Sequence, residues 1–315
     1  MNLIQTTQNN IIVQVADIVK RQLNGDYSDS LTRFSYINGA EDFMKFTHAE
    51  NYFGYSREII LVDKMMPNLV NKIHNYSQII DLGPGDGCKA IKIIDGINGK
   101  VSSYIGLDMS LTMLNSAEKS QNNIRDVDRY YALGDFNHMQ EILESSSTES
   151  NNMYQDRLFL LLGNTLTNEI NIGCFLENFR EIVNLTNKNR NYLLLGIELL
   201  SVDTETIVRE YSTLDNYILT FRPLEFLGVD RQDGIINILF NKTLRRVEEE
   251  FIFTKNSRVT SDLYDIGFTE GDRILLSVTY KPYLNEVTSL IDGSGWNIDS
   301  VELEENQAMM LLSSR

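Results

Sequence analysis

Three glycines fall within five positions, Gly83, Gly85 and Gly87, in the stretch IIDLGPGDGCKA at residues 79–90. Glycine tolerates positive φ and lets the backbone run close against a bound molecule, so a glycine loop behind an apolar run is a ligand cradle. Acids close the next two apolar runs: Asp108 in YIGLDMS and Asp135 in LGDF, where Phe136 follows. A carboxylate at the first of these places can accept both hydroxyls of a ribose. An acid beside an aromatic ring at the second can take an adenine amino group against an apolar wall. The loop lacks the third glycine of the dinucleotide pattern G-x-G-x-x-G, where Cys88 stands, and the GK[ST] ending of a phosphate-binding loop. S-Adenosylmethionine (SAM) carries an adenosine on an amino acid rather than on a pyrophosphate, and it satisfies all three signals. The ordered triplet therefore implies a SAM-dependent methyltransferase. An NAD-dependent oxidoreductase would share Asp108 but not the loop. Taken singly, Asp108 also suits a helix N-terminus, and Phe136 suits an ordinary core.

These residues need strands that end where the acids stand. The pattern predicts strands at 77–82, 102–107 and 129–133, then RLFLLLG and YLLLGIELL as buried strands. Helices are expected from about Lys89, over SLTMLNSAEKS with Ser110 as its cap, and over 173–186, with a polar loop at 144–152. Ahead of them lie a helix at 10–23, a segment rich in tyrosine and phenylalanine, and a helix at 56–73 kinked or divided by Pro67. Strands alternating with helices make a parallel α/β sheet. After Leu200 the pattern changes to a helix around 203–212 and a hairpin over IINILFNKTLRRVEEEFIFTK. A strand in DRILLSVTYKPY, a helix in LNEVTSLIDGSG and a final strand or strand pair in the tail follow. The fold class is α/β: a Rossmann-like class I methyltransferase sheet interrupted by an antiparallel α+β module.

Composition narrows the partners. Lys and Arg number 28 against 44 Asp and Glu, a net charge of −16, which disfavours nucleic acid and anionic membranes because both require a positive footprint. The longest apolar runs are too short to span a bilayer, and MNLIQTTQNN has no signal-peptide pattern. Cys88 and Cys174 lack C-x-x-C spacing, and His48, His74 and His138 are scattered, so no metal site is expected. The expectation is a cytoplasmic protein, monomeric or weakly dimeric, acting on a small molecule.

The fourth strand and its loop, LFLLLGNTLTNEI, resemble the Gly-(Ser)-Thr-x-x-Asn segment of the histidine-specific Nα-methyltransferases of ergothioneine biosynthesis. The resemblance runs along most of the chain, through RFSYINGAEDFMKF, YFGYSRE, LGPGDGCKA, IGLDMS, LGDF, LLLGIELL and VREYS. It implies that Tyr36, Phe43, Gly83, Gly85, Lys89, Asp108, Asp135 and Phe136 line the SAM site, with Lys89 near the methionine carboxylate. It places Asn168 and Tyr211 on the acceptor's α-carboxylate and either Phe53 or Tyr55 beside its amine, with Tyr55, Asn168 and Tyr211 as the catalytic set. It also implies that residues 1–55 with 200–282 form a substrate-binding domain, and 56–199 with 283–315 the SAM-binding domain. The family's imidazole-binding Glu and Ser become Ser277 and Thr279 by register, and Glu249 replaces an apolar methionine. Two of the three glutamates in RRVEEEF are expected to face water. The chain thus reads as a divergent member that methylates the amine of an amino-acid-like acceptor other than histidine. Transfer to an oxygen or aromatic nitrogen of a secondary metabolite, histidine itself, or silent SAM binding are the alternatives.

Overall fold

The computed structural model describes residues 3–5, 11–47, 54–74, 77–97, 99–136, 139–149, 156–186, 189–200 and 203–314. The chain opens with β1 (Leu3–Gln5), then α1 (Ile11–Leu23), α2 (Thr32–Ser35), α3 (Ala40–Thr47) and α4 (Gly54–Lys72). Strands and helices then alternate: β2 (Ser77–Leu82), α5 (Cys88–Ile97), β3 (Val101–Asp108), α6 (Leu111–Ser120), β4 (Asp128–Leu133), α7 (Met139–Glu149), β5 (Arg157–Leu161), α8 (Ile172–Thr186) and β6 (Asn191–Glu198). The inserted module comprises α9 (Thr204–Tyr211), α10 (Leu214–Phe226), β7 (Gly234–Asn241), β8 (Arg246–Phe253), β9 (Ser257–Thr260), β10 (Asp265–Phe268) and β11 (Arg273–Tyr280). The chain returns through α11 (Leu284–Gly293), β12 (Trp296–Glu304) and β13 (Gln307–Ser314).

The large sheet has the order β1-β4-β3-β2-β5-β6-β13-β12. It is parallel from β1 to β6, and β13 and β12 join antiparallel. Every residue of β2, β5 and β6 is buried, because helices cover both faces of the sheet. The strand order reverses between β2 and β3 on one side and β5 on the other, so the loops after these strands share one carboxyl edge, where open sheets of this kind bind ligands. No helix among the described residues is long and apolar enough to cross a membrane.

A separate antiparallel sheet, β11-β8-β7, forms in the insertion, with β9 and β10 as a small additional ribbon. Its core is shared with the N-terminus: Val15, Ile18 and Val19 of α1 and Phe34 of α2 cluster with Phe221, Phe251, Phe253 and Ile274. Gln22 of α1 pins β11, accepting from the Leu275 N–H at 2.8 Å and donating to its carbonyl at 3.2 Å. The first strand departs from the expected grouping of residues 1–55, because Leu3–Gln5 pairs with Tyr131–Leu133 at the edge of the large sheet.

Two further expectations change. The helix containing Pro67 runs undivided from Gly54 to Lys72. The expected loop at 144–152 begins as helix, since α7 reaches Glu149; Ile142 and Leu143 anchor it in the core and Gln140 bonds Glu144 at 2.9 Å, one turn on.

Candidate functional site

The glycine loop leaves β2 with Gly83, Gly85 and Gly87 all at positive φ, +77°, +58° and +75°. Gly87 is the most constrained: a Cβ there would lie 3.1 Å from the Ala117 Cα and 3.2 Å from its carbonyl oxygen in α6. Gly87→Ala combines a left-handed φ with a clash against backbone, so it is expected to destabilise the fold by roughly 1–3 kcal/mol in urea denaturation.

Above this loop opens a cavity of about 400 Å³, within the size range of small-molecule sites. Gly83, Gly85, Lys89, Asp108, Asp135, Phe136 and Asn168 line it from the carboxyl edge of the sheet, and Tyr36 and Phe43 of the N-terminal segment line it too. Asp108 Oδ1 accepts the Ser110 N–H at 2.8 Å, which leaves acceptor capacity for two hydroxyls. Burial pushes the Asp108 carboxyl up to about 7, against the opposing bonds from the Ser110 and Met109 N–H groups. Asp135 faces Arg33 Nε at 3.8 Å, and Arg33 also forks the Asp29 carboxylate at 2.9 and 3.2 Å. Phe136 meets Phe175 edge-on, centroids 6.4 Å apart, and Tyr36 meets Phe43 edge-on at 5.4 Å. A glycine rim, a carboxylate after β3 and an acid beside an aromatic after β4 fit the adenosine and methionine ends of SAM.

At the other end of the cavity Lys89, near the start of α5, donates to Glu58 Oε2 at 2.6 Å. Glu58 projects from α4, is 3% exposed, and also accepts the Gly163 N–H at 2.8 Å. Sequence reasoning missed it, although an acid spaced with Leu61, Val62, Met65 and Leu69 on the buried face of a helix is a readable signal. Tyr55 lines the same end, and its hydroxyl donates to Asp86 Oδ2 at 2.6 Å, beside the glycine loop. Burial and the Asp86 carboxylate push the Tyr55 hydroxyl far above its ordinary range, so it stays protonated. Phe53 lies outside the described residues.

Asn168 ends a 3-10 turn after β5, at Thr165–Asn168. Its Oδ1 accepts the Thr279 hydroxyl at 3.2 Å and its amide donates to the Tyr36 hydroxyl at 3.5 Å. Burial, with Glu249 and Asp108 nearby, raises Tyr36 to about 12. The cavity wall does not include Tyr211, Glu249, Ser277 or Thr279, which form a buried polar layer behind Asn168. Tyr211 Oη accepts from Lys281 Nζ at 3.0 Å; Lys281 is wholly buried and paired with Glu198. Glu198 in turn donates its N–H to Asn164 Oδ1 at 2.8 Å and accepts the same side chain's amide at 3.1 Å. Neither Lys281 nor Glu198 was singled out from the sequence.

Glu249 is 2% exposed and accepts the Asn216 amide at 2.9 Å. Burial pushes its carboxyl up to about 8 despite the bonds from Thr220 and Asn216. Ser277 stands opposite it in the β11–β8 register, and Thr32 donates to the Ser277 hydroxyl at 3.4 Å. Glu248, expected to face water, is buried too, held at 2.7 Å by Arg246 of the same strand. The two neighbouring glutamates point to opposite faces of β8 and both faces are covered: Glu249 meets Asn216 of α10, and Glu248 is capped by Arg246 two residues before it and by the Asn241 amide. Among the described residues, no group of three or more His, Cys, Asp or Glu gathers where a metal ion could sit; His48 and His138 lie outside them.

Solved structures with similar backbones include a SAM-dependent methyltransferase from Clostridium acetobutylicum, at 12% identity and TM-score 0.44, covering 80% of this chain and 90% of that one. Another, from Leishmania major, has 11% identity and TM-score 0.44 over 93% of this chain and 90% of that one. A third, from Aquifex aeolicus, has 11% identity and TM-score 0.39 over 81% and 89%. These likenesses are too distant to bear on function. No curated protein matches the chain. The family model for histidine-specific, SAM-dependent methyltransferases matches residues 32–315, which takes in the cavity lining except Ser28, Asp29 and Ser30. The chain belongs to that family and is a SAM-dependent methyltransferase.

Proposed function

We propose that this enzyme methylates the amine of an amino acid or amino-acid-like small molecule, and that its side-chain pocket is not built for imidazole. The observation that carries this reading is Asn168, held on the cavity wall between Tyr36 and Thr279. An amide fixed at both ends can present hydrogen bonds to an acceptor's α-carboxylate without reorganising. Tyr211 supports it from behind. Its hydroxyl oxygen accepts from Lys281, and its hydroxyl also bonds Thr279, the side chain that holds Asn168.

SAM supplies the electrophilic methyl group when bound. The chain's own residues orient the acceptor amine, keep water out, and favour the neutral amine through burial. Tyr36 and Tyr211 remain protonated at neutral pH, both driven upward mainly by burial, so they act as hydrogen-bonding groups rather than as bases.

The side-chain end differs from an imidazole site in its charges. The positions read as the family's imidazole-binding pair are hydroxyls, Ser277 and Thr279, both committed to partners within the protein. The remaining carboxyl, Glu249, is bonded to Asn216 from α10. A buried hydroxyl discriminates less strongly than a carboxylate, whose hydrogen bonds are about twice as strong. Mass spectrometry of products from a panel of amino acids and cell extract tests the reading. Efficient trimethylation of free histidine would overturn it. Asn168→Ala is expected to raise the KM for the acceptor at least tenfold while leaving SAM affinity within twofold; equal losses for both ligands would make Asn168 a structural residue of the turn.

A further inference from the structure

Glu58 is buried, charged and on the cavity wall at once. It comes from α4, yet it ends between the carboxyl ends of β5 and β6. There Gly163 donates its N–H to Oε1. A Cβ at Gly196 would fall 1.9 Å from the same oxygen, so the missing side chain at Gly196 makes room for this carboxylate. Its other oxygen takes Lys89, itself mostly buried, at 2.6 Å.

A buried ion pair is poorly compensated unless its remaining donors and acceptors find partners. The Lys89 ammonium has three N–H groups and spends one on Glu58; the Glu58 carboxylate has about four acceptor positions and spends two. The pair therefore presents a positive and a negative group side by side on one wall. The complementary shape is a zwitterion, with an ammonium and a carboxylate on one carbon. Among the other acids of the wall, Asp86 is turned to the Tyr55 hydroxyl and the Cys88 N–H, and Asp29 is forked by Arg33. Glu169 lies near Arg33 and Asp135, and Asp108 and Asp135 lie at the ends of β3 and β4, where ribose and adenine belong.

We propose that Glu58 is a cofactor-binding residue that receives the α-ammonium of SAM's methionine end while Lys89 receives its α-carboxylate. This rests on the placement of Lys89 at the methionine carboxylate. The two carboxylates and the two ammonium groups then alternate around a square, each charge flanked by two of opposite sign.

Calorimetry on the purified enzyme tests this with three ligands: S-adenosylhomocysteine, its analogue lacking the α-amino group, and 5′-methylthioadenosine, which carries neither charge. Wild type should prefer S-adenosylhomocysteine to the des-amino analogue by tenfold or more. Glu58→Gln should erase that preference, weakening S-adenosylhomocysteine at least tenfold and leaving the other two ligands within twofold. Equal weakening of all three ligands would make Glu58 merely structural, and no weakening of any would remove it from the site; either result overturns the inference. Lys89→Met separates the underlying reading. If it leaves S-adenosylhomocysteine binding intact, the Lys89 placement fails. If it weakens binding while Glu58→Gln does not, only the role of Glu58 fails. Retained 5′-methylthioadenosine binding reports that each variant is folded.

Discussion

Replacing Asp108 with alanine is expected to weaken SAM and S-adenosylhomocysteine binding by a hundredfold or more. Asp108 ends β3 on the cavity wall with one oxygen held by the Ser110 N–H, a geometry that fixes the carboxylate before ligand arrives. Two ribose hydroxyls donating to it make charge-assisted bonds, each worth about 1.5–3 kcal/mol. The alanine variant loses both. It also loses a buried carboxyl raised to about 7, so the apo fold should not suffer in proportion. The same shift gives binding a pH dependence. Hydroxyl donors favour the ionised carboxylate, so affinity should fall as pH drops below about 7, and binding near neutrality should release a proton. Titration calorimetry in buffers of different ionisation enthalpy detects that proton; unchanged affinity in Asp108→Ala would remove Asp108 from the ribose site.

Glu249→Gln is expected to flatten the decline of stability with rising pH. In the folded protein burial raises the Glu249 carboxyl from 4.5 to about 8, with the Thr220 and Asn216 bonds opposing. Between those values the unfolded chain has lost the proton and the folded chain still holds it. Stability therefore falls as pH rises from about 4.5 through about 8, and the full penalty is present above 8. Glutamine keeps an acceptor for Asn216 and has no proton to lose. The variant should match wild type near pH 5 and exceed it above pH 8 by an amount on the order of a few kcal/mol. Asp81 and Asp108, also raised mainly by burial, to about 7, act in the same direction in both proteins and cancel in the comparison. Urea unfolding at a series of pH values provides the measurement, and parallel curves would place Glu249 in a solvated or compensated setting. The same burial bears on specificity: Ser277→Glu would set a second carboxyl opposite Glu249 in the β11–β8 register, so building an imidazole acceptor requires changing both positions.

The sheet edge that lines the cavity was legible because its signals are local. Asp108 and Asp135 follow apolar runs, and the strand at 77–82 matches the sequence expectation residue for residue. The glycines announce a turn before any tertiary contact forms. Glu58 was hidden because its role depends on Gly163 and Gly196, more than a hundred residues away along the chain. Lys281 and Glu198 were hidden for the same reason, each being an ordinary surface type until the fold buries it. In the insertion, Pro223 masked the helix Leu214–Phe226, and the strands of the small ribbon are only four residues each, too short to show alternation. Glu248 was misread because its cover comes from Asn241 on the neighbouring strand and from Arg246 drawn along its own face, and RRVEEEF does not record that pairing.

The clasp between Gln22 and Leu275 joins residues 253 positions apart. On a ribosome, α1 emerges first and β11 among the last elements, a delay on the order of tens of seconds at ordinary elongation rates. Through that interval Val15, Ile18 and Val19 have no partner from β8, β10 or β11 to cover them. The module built from α1, α2 and the insertion is thus assembled from segments that leave the ribosome far apart in time. A chain arrested before β11 lacks the Leu275 backbone that Gln22 grips, the Ile274 and Leu276 share of the α1 cluster and the last two strands of the large sheet, which makes the unfinished product a client for chaperones rather than a smaller working enzyme.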